Sequence, residues 1–162
     1  MEIENRQDLV QLDIFEIILP ESPKRERTEE AKKFLEDCFL RFMTKNLPLL
    51  LSPQVFSEYM NMLTEKDQNI LVEEKMALLK TILPNFDNLF LETILGEKVS
   101  RLIEYTNDLL EINSFKKGEE SSAKTEYIVE KRKEKLEEIK QAISNSEWRH
   151  LNQMFSEFSH LE

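Results

Sequence analysis

Among its 162 residues the chain has two glycines, two histidines and one cysteine. Two glycines cannot build a Gly-rich phosphate loop or the strained turn of a nucleophile elbow. One cysteine excludes an intrachain disulfide and any multi-Cys zinc or iron–sulfur site. No proline follows Pro84, so nothing there removes a backbone donor from a long helix. Long apolar runs are missing too: Leu47-Pro48-Leu49-Leu50-Leu51 falls far short of the roughly 18 residues a bilayer span needs. The opening Met1-Glu2-Ile3-Glu4-Asn5 is the reverse of a signal peptide's basic start and apolar core. With the lone Cys38, this gives a cytoplasmic expectation. Basic charge is in deficit, 22 Lys and Arg against 32 Asp and Glu, for a net charge of −10. Nucleic acid and anionic membrane surfaces are therefore not expected partners, because both require basic side chains to replace counterions.

What is present is apolar area in a helical pattern. Hydrophobic residues make up 40% of the chain, with ten Phe, and 33% is charged, the composition of a folded all-α protein. Residues 7–18 read as one short amphipathic helix, with Leu9, Leu12, Phe15 and Ile18 on one side, a partly buried extended segment being the alternative. Residues 20–27, polar and bearing Pro20 and Pro23, read as a connector. From Thr28 to Leu47 the set Ala31, Phe34, Leu35, Cys38, Phe39, Phe42 and Met43 recurs at three and four, one helix face that Pro48 is expected to end.

Ser52-Pro53 is a start signal, a capping serine with proline at the first helical position. It opens a helix carrying Val55, Phe56, Tyr59, Met60 and Leu63, ending near Thr64. Thr64 and Asp67 can cap the next helix, through Ile70, Leu71, Met76, Leu79 and Leu83. Asn85 can cap the longest helix, about 86–112, in which Gly96 marks a kink, a close crossing or a tolerated glycine that costs about 1 kcal/mol against alanine. Residues 113–122 look like a linker. Beyond them lies a charge-rich helix with a thin seam of Ile128, Leu136, Ile139 and Ile143. Ser144-Asn145-Ser146-Glu147 then reads as a capping box for a last helix with Trp148, Leu151, Phe155 and Phe158 on one face.

One pattern suggests chemistry. Glu147/His150 and Glu157/His160 are both Glu-x-x-His, the pair that di-iron carboxylate bundles use as ligands. Read as one helix, the two pairs lie about 15 Å apart at 1.5 Å per residue, whereas a two-metal site holds its ions about 3.5–4 Å apart. A shared site would need a symmetric dimer. Cys38, within an apolar face, reads as a small buried hydrophobe of low reactivity. The basic clusters Lys24-Arg25-Glu26-Arg27 and Lys131-Arg132-Lys133 are interrupted or flanked by glutamate and lack interleaved aromatics, so they read as solvated faces. The seam of Trp148, Leu151, Phe155 and Phe158 must be covered by something. Packing back on residues 28–112 would do this, and so would a partner helix or a second copy of the chain.

The layout of residues 7–112 resembles one family. A short N-terminal helix, the Leu19-Pro20 turn and a long Phe-rich helix come first. The Leu51-Ser52 start, a short acidic helix and Pro84-Asn85-Phe86-Asp87 opening another helix follow. Together these are similar to small, uncharacterised all-helical proteins of candidate-phyla bacteria. The resemblance implies an all-helical fold and assigns neither an activity nor catalytic residues.

The expected organisation is a short helix and connector in 1–27, a bundle core in 28–112, a linker in 113–122, and a charged helix plus an aromatic-faced terminal helix in 123–162. No coherent catalytic set is present, so the expected function is a non-enzymatic protein–protein interaction or scaffolding module without a cofactor. Its expected contacts are Trp148, Leu151, Phe155 and Phe158, with a partner or a second copy meeting the C-terminal helices. Two alternatives stand beside it. One is a metal-dependent helical enzyme using Glu147, His150, Glu157 and His160 across a dimer. The other is an acidic inhibitor or chaperone of a basic client.

Overall fold

A computed structural model describes residues 3–65, 72–119 and 123–161. The fold is all-α, with no strand among the described residues. In chain order the helices are α1 (Arg6–Gln11), α2 (Ile14–Ile18), α3 (Lys24–Arg41), a π-helical turn (Phe42–Asn46), α4 (Leu47–Leu50), α5 (Pro53–Glu65), α6 (Val72–Ile82), α7 (Phe86–Glu119), α8 (Ala123–Ser144) and α9 (Leu151–Ser159). They form two compact units, one of residues 1–27 with 98–162 and one of residues 28–97. The units therefore do not follow the expected 28–112 core, because α7 supplies residues 86–97 to one and 98–119 to the other.

In the unit of residues 1–27 and 98–162, the segment expected as one helix is two. Leu12 and Asp13 are extended, and the Asp13 carboxylate accepts a hydrogen bond from Phe15 N at 2.9 Å, which starts α2. This break exposes the last carbonyls of α1, and Lys98 covers them. Its ammonium donates to the carbonyls of Leu9 (3.1 Å), Val10 (3.1 Å) and Leu12 (2.8 Å). A helix C-terminus is the place where a cation is favoured. Burial pulls the Lys98 pKa down, and the charge of Asp13 opposes that shift. The expected linker is absent over residues 113–119, which continue α7. Asn113 is buried, and its amide donates to Val129 O at 3.0 Å, so a polar residue that resembled loop joins α7 to α8. Residues 120–122 lie outside the described residues. The seam of α8 is Val129, Leu136, Ile139, Ala142 and Ile143, and Ile128 is only half-buried.

The expected capping box is a C-terminal stop instead. Glu147 N donates to Ala142 O at 2.9 Å and Ser146 N to Ile143 O at 3.1 Å, while Ser146 is left-handed at φ 57. This is the Schellman pattern that usually places glycine at the left-handed position. The last helix accordingly begins at Leu151, three residues later than the aromatic spacing indicates.

In the unit of residues 28–97, two proline expectations diverge. Pro48 does not end its helix, since helical backbone runs on to Leu50. A proline has no N–H and its ring clashes with the carbonyl four residues back. The backbone widens to a π turn just before it, where Leu47 N donates to Phe42 O. The Thr44 hydroxyl lies within reach of the Leu40 (3.0 Å) and Arg41 (3.3 Å) carbonyls. Upstream, α3 starts at Lys24 rather than Thr28, with Arg27 N donating to Pro23 O, so residues 24–27 are helix and not connector. Ser52-Pro53 acts as expected: Pro53 opens α5 and Val55 N donates to Ser52 Oγ at 3.3 Å. Asp67, Ile70 and Leu71 lie outside the described residues. The core is aromatic. Phe42 meets Phe86 edge-on at 5.3 Å, Phe39 and Phe42 meet Phe90 at 6.1 and 6.0 Å, and Phe86 stacks on Phe90 at 5.2 Å.

Tyr59 is fully buried and donates its hydroxyl to Lys75 O at 3.0 Å, tying α5 to α6. Burial pushes its pKa from 10.0 up to about 12. The unfolded chain therefore releases this proton first. The contribution of the neutral phenol is intact below pH 10 and is lost as pH rises toward 12. Tyr59→Phe should cost about 1 kcal/mol near neutral pH and flatten the fall in urea midpoint across that alkaline window relative to the wild type. At Gly96, inside α7, an added Cβ meets nothing within 4 Å. Gly96→Ala should therefore stabilise the protein by about 1 kcal/mol in thermal or urea unfolding.

Candidate functional site

The aromatic residues expected to meet a partner are interior to the chain. Trp148 is 2% exposed, in the loop before α9 rather than on it, and its indole N–H donates to Glu4 O at 3.1 Å. The left-handed turn at Ser146 sends the chain back, and Asn5 Nδ2 holds it by donating to Ser146 O at 2.9 Å. Leu151, Phe155 and Phe158 are buried as α9 packs on α8 and α2. Phe155 meets the Tyr105 ring at 5.7 Å, and the Arg132 guanidinium lies 4.4 Å over the Phe158 ring while Nη1 donates to Leu161 O at 2.7 Å. The expectation that Trp148, Leu151, Phe155 and Phe158 form a free contact surface is thus corrected. Their own unit, residues 1–27 and 98–162, covers them.

The two Glu-x-x-His pairs do not share a helix. Glu147 and His150 are exposed in the loop before α9, Glu157 is on α9, and His160 follows it. Glu157 is ion-paired to Lys135, which holds its carboxyl below the usual carboxylate range and raises the Lys135 ammonium. The His160 Nδ1 lies 2.6 Å from Ser156 O, and an imidazole facing a carbonyl there must carry its proton on that nitrogen. No group of three or more His, Cys, Asp or Glu side chains converges among the described residues. Cys38 is buried in the unit of residues 28–97. The basic runs are distributed: Lys24 to Arg27 form the first turn of α3, and Lys131 pairs with Glu134 at 3.4 Å.

An open, apolar groove lies in the unit of residues 28–97. A groove of about 500 Å³ runs beside Leu40, Met43, Pro48, Phe56, Met60 and Leu63. Leu40 is 63% exposed and Met60 37%, whereas Phe39 and Met43 beside them belong to the core. The groove follows from the helix chemistry. The π turn changes the register of the segment between Arg41 and Leu47, and Met43 and Thr44 of that turn line the groove together with Pro48. Single-turn π insertions recur at functional sites. Leu40 falls outside the three-and-four face of α3, and that surplus apolar position was the available signal. Glu36 and Lys75 are the charged residues along the lining. No helix among the described residues is long and apolar enough to cross a membrane.

Comparisons with protein-family models, with curated proteins and with solved structures find no significant match to this chain.

Because Trp148 is an interior residue, Trp148→Ala should destabilise the protein by about 3–5 kcal/mol, with loss of helical signal at lower urea concentration. Trp148→Phe keeps most of the buried ring and should cost much less. A surface anchor would show neither effect.

Proposed function

We propose that this protein is a non-enzymatic binding module whose groove takes an amphipathic helix from a basic partner protein. One observation carries the proposal: Leu40 and Met60 are exposed along an apolar groove that Phe39, Met43 and Phe56 also line. Helix-in-groove recognition uses such a cleft, with apolar anchors three and four residues apart entering it. Methionine suits the lining, because its unbranched and polarisable chain adapts to the anchor it meets. Charge selects the partner's sign. Between Thr28 and Glu97 acidic side chains outnumber basic ones by twelve to seven, within a chain of net charge −10. A helix with basic flanks is therefore drawn in and an acidic one repelled. The interaction module and the acidic binder of a basic client, separate alternatives in the sequence, become one mechanism at this groove.

A synthetic amphipathic helix with Leu and Met on one face and Lys on the other should bind the full chain. Fluorescence anisotropy should show at least roughly tenfold tighter binding than the same peptide with Glu in place of Lys at low salt, and the gap should shrink as salt screens it. Leu40→Glu and Met60→Glu should each weaken binding at least tenfold with helicity unchanged. Equal affinity for both peptides, or binding indifferent to both substitutions, refutes the proposal. Concentration-dependent dimers in sedimentation that Leu40→Glu dissolves would show a second copy as the occupant instead.

A further inference from the structure

A second cavity, of about 390 Å³, lies wholly within the unit of residues 1–27 and 98–162. It is chemically unlike the apolar groove. Its walls bring together Glu16, Glu21, Arg27, Tyr105, Asn152 and His160, with the Phe155 ring against that of Tyr105. The volume falls within the range of about 300–1,000 Å³ usual for small-molecule sites.

Three features define what this cavity accepts. Arg27 Nε is buried with no hydrogen-bond partner. A guanidinium donor left so is costly, and a carboxylate is the acceptor its planar fork fits best. Glu16 is oriented by Asn152, whose amide donates to Oε2 at 3.2 Å, so its other oxygen is left to accept from a ligand. Glu21 adds a second carboxylate to the lining. The C-terminal end of α9 supplies Ser156 and Ser159 to the lining, with His160 just beyond it, and a helix C-terminus carries partial negative charge. Together these groups favour a cation. A simple anion meets two carboxylates against one guanidinium, and a simple amine leaves the Arg27 donor unmatched. A ligand with both charges answers the carboxylates and the guanidinium together, and the ring pair of Tyr105 and Phe155 adds an apolar contact.

We propose that this cavity binds a small zwitterion of the α-amino-acid class with an apolar side chain. Its ammonium lies between Glu16 and Glu21, its carboxylate on Arg27, and its side chain against Tyr105 and Phe155. The site is independent of the groove and of the helix-binding proposal. It makes the protein sensitive to a small metabolite as well as to a macromolecule.

The test is a titration of the ¹⁵N-labelled full chain, followed by NMR, with three probes. L-Phenylalanine carries both charges, phenethylamine lacks the carboxylate and N-acetyl-L-phenylalanine lacks the ammonium. L-Phenylalanine should give saturable shifts confined to α2, α9 and the residues around Arg27. Each one-charge analogue should bind at least tenfold more weakly. Arg27→Gln should bring L-phenylalanine down to the affinity of phenethylamine, and Glu16→Gln should erase its advantage over the N-acetyl compound. Absence of saturable shifts at millimolar L-phenylalanine overturns the proposal, as does equal binding of the three probes. Undiminished L-phenylalanine binding by a folded Arg27→Gln protein does so too. Should that variant fail to fold by circular dichroism, the three-probe comparison on the wild type and Glu16→Gln still decides.

Discussion

One ammonium group against three carbonyls organises the unit built from residues 1–27 and 98–162. Lys98 reaches back from α7 to the end of α1 and donates to Leu9, Val10 and Leu12. The last carbonyls of any helix lack intrahelical partners, and α1 is too short to hold its shape unaided. With its end covered, the chain turns at Leu12 and Asp13, and the Asp13 carboxylate starts α2. Leu9, Ile14, Phe15 and Ile17 are buried as a result. α2 then forms one side of the seat of α9. A contact of 89 residues' sequence separation thus lies within the same packing that buries Phe155 and Phe158.

The same problem of ending helices recurs along the chain, because glycine is almost absent. Gly96 sits in open space inside α7 and ends nothing. Left-handed turns fall instead to Asn5 and Ser146, and these two are themselves joined by the Asn5 amide on the Ser146 carbonyl. Long polar side chains collect other carbonyls: Trp148 donates to Glu4 and Arg132 to Leu161. Asparagine tolerates the left-handed region better than most residues, and serine has a smaller side chain to strain there. Long-range hydrogen bonds thus hold several of the chain's turns and ends in place.

The two proposed sites separate along chemical lines. In residues 28–97 the aromatic cluster of Phe39, Phe42, Phe86 and Phe90 occupies the interior, and Leu40 and Met60 are left over as surface. That surplus suits a partner helix. In residues 1–27 and 98–162 the apolar residues of α9 are spent on the core, and the cavity beside them is lined by groups of both charges. A mixed-charge wall suits a small ligand with both charges.

Helix class, the Ser52-Pro53 start and the start of α7 after Asn85 were legible because each rests on periodicity or on a cap within a few residues. Ser22-Pro23 is the same dipeptide as Ser52-Pro53 and precedes α3, yet the charged run after it hid the helix. Pro48 and Asn113 were misread for a common reason. Each breaks a local rule, and each is accommodated by something outside its own segment's pattern, a π turn in one case and the Val129 carbonyl in the other. The aromatic seam shows the limit most directly. Sequence determined that Leu151, Phe155 and Phe158 share one face of a helix, since spacing alone decides that. Only tertiary structure decided that α8 and α2 cover this face, and that Leu40 and Met60 go uncovered. Burial is a property of which surfaces meet, and an apolar stripe carries no record of what lies on it.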